Sequence, residues 1–194
     1  MKLFNKFSRK DLIKIPNILC YIRFILIPVF IMLYIKANSP QEYLRAATVV
    51  FISGATDFFD GFIARHFDMV TEFGKLIDPL ADKLTQASLI FVLFVKFKWM
   101  FLLLILFVIM QLFLFVAGLV MLKKGKKLNG AKWFGKISTA VFYAVMLVLI
   151  AVPTLSITVI NLLIMICGVF LLLSFLMYIK EYIDLYQSIK IVKE

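Results

Sequence analysis

Four aspartates stand at helical spacing in the stretch DFFDGFIARHFDMVTEFGKLIDPLAD, residues 57–82. Asp57 and Asp60 are three positions apart, and Asp78 and Asp82 are four apart, so each pair lies on one face of a helix. Carboxylates that are packed together repel one another, and a divalent cation between them removes that repulsion. A ligand set of oxygens without His or Cys suits Mg²⁺, Mn²⁺ or Ca²⁺ and argues against zinc, so the spacing indicates a hard-cation site.

Small and basic residues share these two faces. Gly61, Ala64 and Arg65 continue the first stripe, and Gly74 precedes Asp78 by four positions in the second. Small side chains leave room for a ligand beside the acids, but they also promote plain helix packing in membranes, and both interpretations stay open. The alternative is a purely structural role, in which the acids form ion pairs with nearby basic residues at the membrane–water boundary. Ionisable groups in such places are costly and usually functional, which favours a site.

The helices that carry these stripes belong to a strongly apolar chain. Of its 194 residues 63% are hydrophobic, and its mean hydropathy is +1.01. A membrane-spanning helix needs about 20 mostly apolar residues. Six segments meet this requirement: Ile15 to Ile35, Tyr43 to Arg65, Leu76 to Val95, Trp99 to Leu122, Trp133 to Val152 and Ser156 to Ile179. We therefore predict an all-α integral membrane protein, built as a six-transmembrane-helix bundle.

A chain of this length is expected to form one domain, residues 1–194, with its bundle over residues 15–184. In residues 1–14 apolar side chains alternate with basic ones, which predicts an N-terminal interfacial amphipathic helix on the inner membrane surface; a solvated tail is the alternative. Cys20 and Cys167 lie within apolar spans and are expected to be buried free thiols that behave as small hydrophobes.

The formal net charge of +11 is distributed between the apolar runs. Basic residues concentrate before the first span, after the fourth and after the sixth, and these three places share one side of a six-span protein. The positive-inside rule makes that side cytoplasmic, so both termini and the acidic stripes are expected at the cytoplasmic face of the cell inner membrane. This distribution suits contact with anionic membrane lipids and argues against nucleic acid as a partner.

The acidic stretch resembles the signature of the CDP-alcohol phosphatidyltransferase family, D-x2-D-G-x2-A-R-x8-G-x3-D-x3-D, in all eight specified positions. The resemblance implies a homodimeric membrane enzyme that binds a CDP-linked lipid through two divalent ions, Mg²⁺ or Mn²⁺. It implies that Asp57, Asp60 and Asp78 are metal ligands beside the CDP moiety. It also implies that Asp82 contributes to the metal site and acts as the catalytic base.

The same resemblance assigns further residues to the pocket of the nucleotide and its diphosphate. They are Gly61, Ala64, Arg65 and Gly74. A second stretch, IPNILCYIRFILIPVF over residues 15–30, resembles the first span of bacterial phosphatidylglycerophosphate synthases and of the related cardiolipin synthases. Together the two stretches imply transfer of a phosphatidyl group from CDP-diacylglycerol to an alcohol, with sn-glycerol 3-phosphate as the first choice of acceptor.

The second half of the chain departs from those synthases. In the fourth span those synthases usually carry an Arg-acid pair, and this chain has Met110 and Gln111 there. Their fifth span opens with Gly-Lys-x-Lys-Thr, and this chain keeps one of the two lysines. A phosphorylated acceptor requires cations, and the candidates are Lys126, Lys127, Lys132 and Lys136. Phosphatidylglycerol, as in cardiolipin synthesis, or another alcohol of the family stays open as acceptor. A membrane prenyltransferase and a divalent-cation transporter are the alternatives outside the family.

Overall fold

The computed structural model of the protein describes residues 13–67, 69–71, 73–125 and 132–191. These residues form six helices and no strand, which confirms the all-α prediction. The helices are α1 (Ile15–Lys36), α2 (Pro40–His66), α3 (Gly74–Phe94), α4 (Met100–Lys123), α5 (Trp133–Ala151) and α6 (Ile157–Ile191). The predicted interfacial helix falls almost wholly outside the described residues.

Five of the six helices are long and apolar enough to cross a membrane, namely α1, α2, α4, α5 and α6. The chain is therefore a multi-pass membrane protein. Helix α3 has 21 residues, about 32 Å of helix, but it is not among the five. Its charged residues, Lys75, Asp78, Asp82 and Lys83, all lie in its first half and lower the hydropathy of any spanning window.

Local sequence explains where α2 begins. Pro40 is the first helical residue, where a proline loses no intrahelical hydrogen bond. The backbone N–H of Ser39 donates to Glu42 Oε2 at 3.1 Å, so the acid of the first turn satisfies an otherwise unpaired donor. Helix α6 is longer than its predicted span, since it continues past Ile179 to Ile191. Its 35 residues measure about 52 Å, more than a hydrocarbon core of about 30 Å.

The chain divides into two compact units. The first comprises Met1–Lys96 and Met146–Leu155, and the second comprises Phe97–Val145 and Ser156–Glu194. In the first unit α1 packs against both α2 and α3, and in the second unit α4 packs against α6. Helix α1 is thus the element that joins the two helices carrying the acidic stripes.

Candidate functional site

Helix α1 presents a polar face to its neighbours. Asn17, Cys20 and Arg23 are spaced by three and share this face, and each is at most 1% exposed. Buried polar groups must find partners, because burial without a hydrogen bond is costly. The partners of these three side chains lie on α2, on α3 and in the segment between those helices.

Arg23 connects α1 to the first acidic stripe. Its Nη1 lies 2.7 Å from Asp57 Oδ1, and its Nη2 forms a hydrogen-bonded ion pair with Asp60 Oδ2. The Asp60 side chain is 4% exposed, whereas that of Asp57 is 47% exposed. Nε of Arg23 is buried and has no hydrogen-bond partner within the described part of the chain. The guanidinium therefore neutralises carboxylate charge while its Nε–H stays available.

Cys20 connects the two acidic stripes. Its thiol donates to Asp78 Oδ1 at 2.6 Å and lies 3.5 Å from Asp60 Oδ2. One ligand atom from each of these three residues lies within 4.8 Å of the others. The prediction that Cys20 is a buried free thiol is confirmed. Its thiol, however, donates a hydrogen bond to an acid, which a plain small hydrophobe does not do. The group of side chains that could hold an ion here therefore includes one sulfur beside the carboxylate oxygens.

Asp82 lies one turn beyond Asp78 on α3. The buried Gln86 donates through Nε2 to both carboxylate oxygens of Asp82 at 3.0 Å, and Lys83 Nζ lies 3.3 Å from Oδ2. The Asp82 side chain is 22% exposed, so it is held in one orientation while remaining open to solvent. Asp57 experiences electrostatic repulsion from both Asp82 and Asp78, which places the four aspartates in one charged cluster.

Gly74 permits a close approach between the start of α3 and α1. Its N–H donates to Thr71 Oγ1 at 2.8 Å, and Asn17 Nδ2 donates to the same oxygen at 3.2 Å. A Cβ on residue 74 would lie 2.7 Å from Asn17 Oδ1 and 3.0 Å from Thr71 Oγ1. A side chain on residue 74 would force Asn17 or Thr71 to shift, so the glycine allows the close packing at the edge of the site.

The remaining predicted residues of the nucleotide pocket lie on α2. Gly61 and Ala64 are half-buried and continue the face that carries Asp57 and Asp60. Arg65 is in the last turn of α2, and its side chain lies outside what the structure describes.

Two of the predicted acceptor lysines, Lys132 and Lys136, belong to the second compact unit. Lys132 Nζ forms an ion pair with Glu181 Oε2 at 2.9 Å. Lys136 is exposed on the first turn of α5. Lys126 and Lys127 lie outside the described residues.

Five residues of the site were missed by sequence reasoning: Asn17, Cys20, Arg23, Thr71 and Gln86. A signal for the three on α1 was present, because polar residues at a constant spacing of three in an otherwise apolar span indicate a buried polar face. Thr71 gave no such signal.

The donor set fits a divalent cation. Asp60, which is buried, and Asp78, which is half-buried, come from different helices and converge with Asp57 and Asp82 beside them. Carboxylate oxygens are the ligands that Mg²⁺ and Mn²⁺ prefer. The geometry is therefore suited to holding a divalent ion and, through that ion, a phosphate group of the same sign as the acids.

Comparison with known proteins agrees with the sequence pattern. A family model described as CDP-alcohol phosphatidyltransferase matches residues 13–179. Similar curated proteins carry the name CDP-diacylglycerol–glycerol-3-phosphate 3-phosphatidyltransferase. That of Rickettsia typhi is 49% identical over 70 residues, covering 36% of this chain and 39% of the relative. That of Rickettsia bellii is 43% identical over 82 residues, 42% of this chain and 45% of the relative.

The corresponding Escherichia coli K12 protein is 38% identical over 73 residues, 38% of this chain and 40% of the relative. Each match thus spans less than half the length of the curated relative. The family model covers most of this chain and includes all four aspartates. The resemblance inferred from the signature is confirmed: the chain belongs to the CDP-alcohol phosphatidyltransferase family.

Proposed function

We propose that the protein is an enzyme of phospholipid biosynthesis that transfers a phosphatidyl group from CDP-diacylglycerol to sn-glycerol 3-phosphate. The products are phosphatidylglycerophosphate and CMP. The observation that carries the proposal is the convergence of Asp60 of α2 and Asp78 of α3 beside Asp57 and Asp82. The names of the similar curated proteins support the choice of acceptor.

Asp57, Asp60, Asp78 and Asp82 would hold two divalent ions, Mg²⁺ or Mn²⁺. When bound, these ions neutralise the diphosphate and make its phosphorus more electrophilic. The aspartates themselves fix the position of the diphosphate between α2 and α3. Because a diphosphate and a carboxylate cluster repel each other in the absence of cations, substrate affinity should depend on the metal.

Asp82 would act as the general base. An alcohol hydroxyl is a poor nucleophile, and a carboxylate within hydrogen-bond reach takes its proton during attack on phosphorus. Gln86 donates to both oxygens of Asp82 and so sets the orientation of that carboxylate. The partial exposure of Asp82 gives an acceptor hydroxyl access to it.

Arg23 would bind a diphosphate oxygen. Its guanidinium is buried beside the acids, and its Nε has hydrogen-bonding capacity that the described residues leave unused. Arginine N–H groups are well suited to phosphate oxygens. Gly61, Ala64, Arg65 and Gly74 would shape the remainder of the CDP pocket, as the family signature implies.

Positive charge for the acceptor phosphate would come from four lysines, namely Lys126, Lys127, Lys132 and Lys136. The ion pair of Lys132 with Glu181 reduces the charge available from this set. That observation favours a second candidate, cardiolipin synthesis, because the hydroxyl of phosphatidylglycerol that would attack belongs to an uncharged glycerol group. We rank glycerol 3-phosphate first because the relatives are named for it.

In the membrane we propose six spans, with α3 as the third, in one domain over residues 1–194. The apolar second half of α3 supports this arrangement, and its charged first half would lie at the membrane boundary. Residues 1–14 would form the interfacial amphipathic segment. The distribution of basic residues supports the cell inner (cytoplasmic) membrane, with both termini and the active site at the cytoplasmic face. We further propose a homodimer, as in the family.

An acceptor assay tests this function. The purified protein would be given CDP-diacylglycerol and Mg²⁺ or Mn²⁺, with glycerol 3-phosphate or phosphatidylglycerol in separate reactions, and CMP release would be measured. We expect metal-dependent release with glycerol 3-phosphate. Release with phosphatidylglycerol alone would overturn the ranking of acceptors, and no release with any alcohol of the family would overturn the enzyme proposal.

A further inference from the structure

The Cys20 thiol gives the acidic site a ligand that hard cations do not need. The sulfur is fully buried and lies 2.6 Å from Asp78 Oδ1 and 3.5 Å from Asp60 Oδ2. Mg²⁺ and Mn²⁺ prefer oxygen, whereas thiolate sulfur is a preferred ligand of softer ions such as Zn²⁺. The three side chains come from three helices, α1, α2 and α3, so their convergence is a product of the fold.

The distances suit an ion of this class after a small adjustment. In a tetrahedral site with metal–sulfur bonds of about 2.3 Å and metal–oxygen bonds of about 2.1 Å, a sulfur and an oxygen ligand lie about 3.6 Å apart. The distance between Cys20 Sγ and Asp60 Oδ2, 3.5 Å, is already close to this value. The separation between Cys20 and Asp78 would lengthen by about 1 Å as the hydrogen bond is exchanged for bonds to the ion. Three protein ligands leave one coordination position open.

Charge also favours such a complex. A thiolate beside two carboxylates is disfavoured on its own, and a divalent cation cancels most of that repulsion. Arg23 contributes one positive charge beside these ligands, because it forms an ion pair with Asp60. Because Arg23 also pairs with Asp57, binding of a divalent ion with loss of the thiol proton lowers the net negative charge of these groups from two to one.

We propose that Cys20, Asp60 and Asp78 form a binding site for a thiophilic divalent cation of the Zn²⁺ and Cd²⁺ class, which competes with the hard cation of the transfer reaction. On binding, the S–H bond breaks, a sulfur–metal bond forms and the thiol proton passes to solvent, so one proton is released per ion. The inhibitory part of this inference rests on the proposed function, because both ions use Asp60 and Asp78. The binding part is independent of it.

Cd²⁺ is the probe for the test, because its bond to a thiolate gives an ultraviolet charge-transfer absorption. The full chain in detergent micelles would be titrated with Cd²⁺, and absorption and proton release would be recorded together. We expect an absorption change that corresponds to one thiolate and one released proton per bound ion. Excess Mn²⁺ should raise the Cd²⁺ concentration needed for half-saturation. A wild-type protein without the absorption change would overturn the proposal.

The second cysteine supplies a matched control. Cys167 is also buried, and it lies on α6 in the other compact unit. We expect Cys167→Ser to keep the Cd²⁺ signal and Cys20→Ser to lose it; the reverse pattern, or a signal that survives in Cys20→Ser, would contradict the assignment. Asp78→Asn keeps both thiols and should raise the half-saturating Cd²⁺ concentration at least about 10-fold. Equal affinities of Asp78→Asn and wild type would also contradict it.

CMP release measured on the same samples separates the two proposals. A missing Cd²⁺ signal together with Mg²⁺-dependent CMP release would overturn the thiophilic site and leave the proposed function intact. A Cd²⁺ signal with the expected cysteine dependence, but without CMP release, would overturn the proposed function and support the binding site. If both proposals hold, Cd²⁺ should inhibit CMP release at the concentrations that saturate the absorption signal.

Discussion

Arg23 of α1 and Asp60 of α2 form an ion pair that is almost completely buried, with side-chain exposures of 1% and 4%. Removal of one partner from a buried pair leaves an uncompensated charge and typically costs about 3 to 5 kcal/mol. We predict that Arg23→Gln lowers thermal stability in the absence of divalent ions and that Mn²⁺ raises the melting temperature more in this variant than in wild type. Thermal unfolding in detergent, with and without Mn²⁺, measures both effects.

The control for this prediction is Arg45→Gln. Arg45 is an exposed arginine on the same helix as Asp60, and substitutions of this kind usually change stability by about 0.5 kcal/mol or less. An equal loss of stability in the two variants would show that the ion pair with Asp60 has no special role.

Gly74→Ala should disturb the junction of α1 and α3. The added Cβ would lie 2.7 Å from Asn17 Oδ1, a distance that real Cβ contacts do not show. Overpacking of this kind usually costs about 1 to 3 kcal/mol. A shift of the start of α3 would also move Asp78, which lies one turn after residue 74 on the same helix. We expect lower stability together with lower activity, measured by thermal unfolding and by CMP release.

Gly54→Ala is the matched control, because Gly54 lies within α2 and a Cβ there has no neighbour within 4 Å among the described residues. Alanine is favoured over glycine in a helix by up to about 1 kcal/mol, so this variant should be as stable as wild type or slightly more stable. If Gly74→Ala keeps the stability and the CMP release of wild type, α3 can shift without affecting the site.

Asp82→Asn tests the assignment of the general base. The amide cannot accept the proton of the acceptor, and general bases usually contribute about 10²- to 10⁴-fold to the rate. We predict a loss of kcat in this range with much of the affinity for cytidine nucleotide retained. Asp184→Asn, at an exposed position of α6, should leave kcat unchanged. Turnover of Asp82→Asn at the wild-type rate would rule out the base role.

Lys136→Gln tests recognition of the acceptor phosphate. Lys136 is exposed, whereas Lys132 is already paired with Glu181. Loss of one hydrogen bond to a charged group costs about 1.5 kcal/mol or more, so the KM for glycerol 3-phosphate should rise about 10-fold at constant kcat. Lys98→Gln, which removes an exposed lysine that precedes α4, should leave the KM unchanged. If both variants have the wild-type KM, the acceptor phosphate binds elsewhere.

The acidic half of the site could be predicted from the sequence because the spacing of the aspartates within each helix is sufficient to place them on one face. Asp57 and Asp60 on one helix and Asp78 and Asp82 on the next follow from helical periodicity alone. Their convergence depends on α1, which packs against both helices. The contacts of Cys20 and Arg23 join residues that are 34 to 58 positions apart along the chain, and such pairings are set by tertiary packing.

Helix positions were also predicted well from hydropathy, and the discrepancies have physical causes. The apolar segment of α6 ends near Ile179, but the helix continues to Ile191 because polar helix-forming residues follow. Helix α3 was predicted as a span on its length, whereas the four charges near its start reduce its hydropathy. Length alone therefore does not establish a span, and the end of an apolar segment does not establish the end of a helix.

The central claim is that carboxylates from two helices hold divalent ions, and Mn²⁺ binding measured by electron paramagnetic resonance on purified protein tests it most directly. We predict bound Mn²⁺ in wild type and in Asp184→Asn, and at least about 10-fold weaker binding in both Asp60→Asn and Asp78→Asn. Mn²⁺ binding of wild-type strength in Asp60→Asn and in Asp78→Asn would contradict the account, because no ion could then lie between α2 and α3 as described.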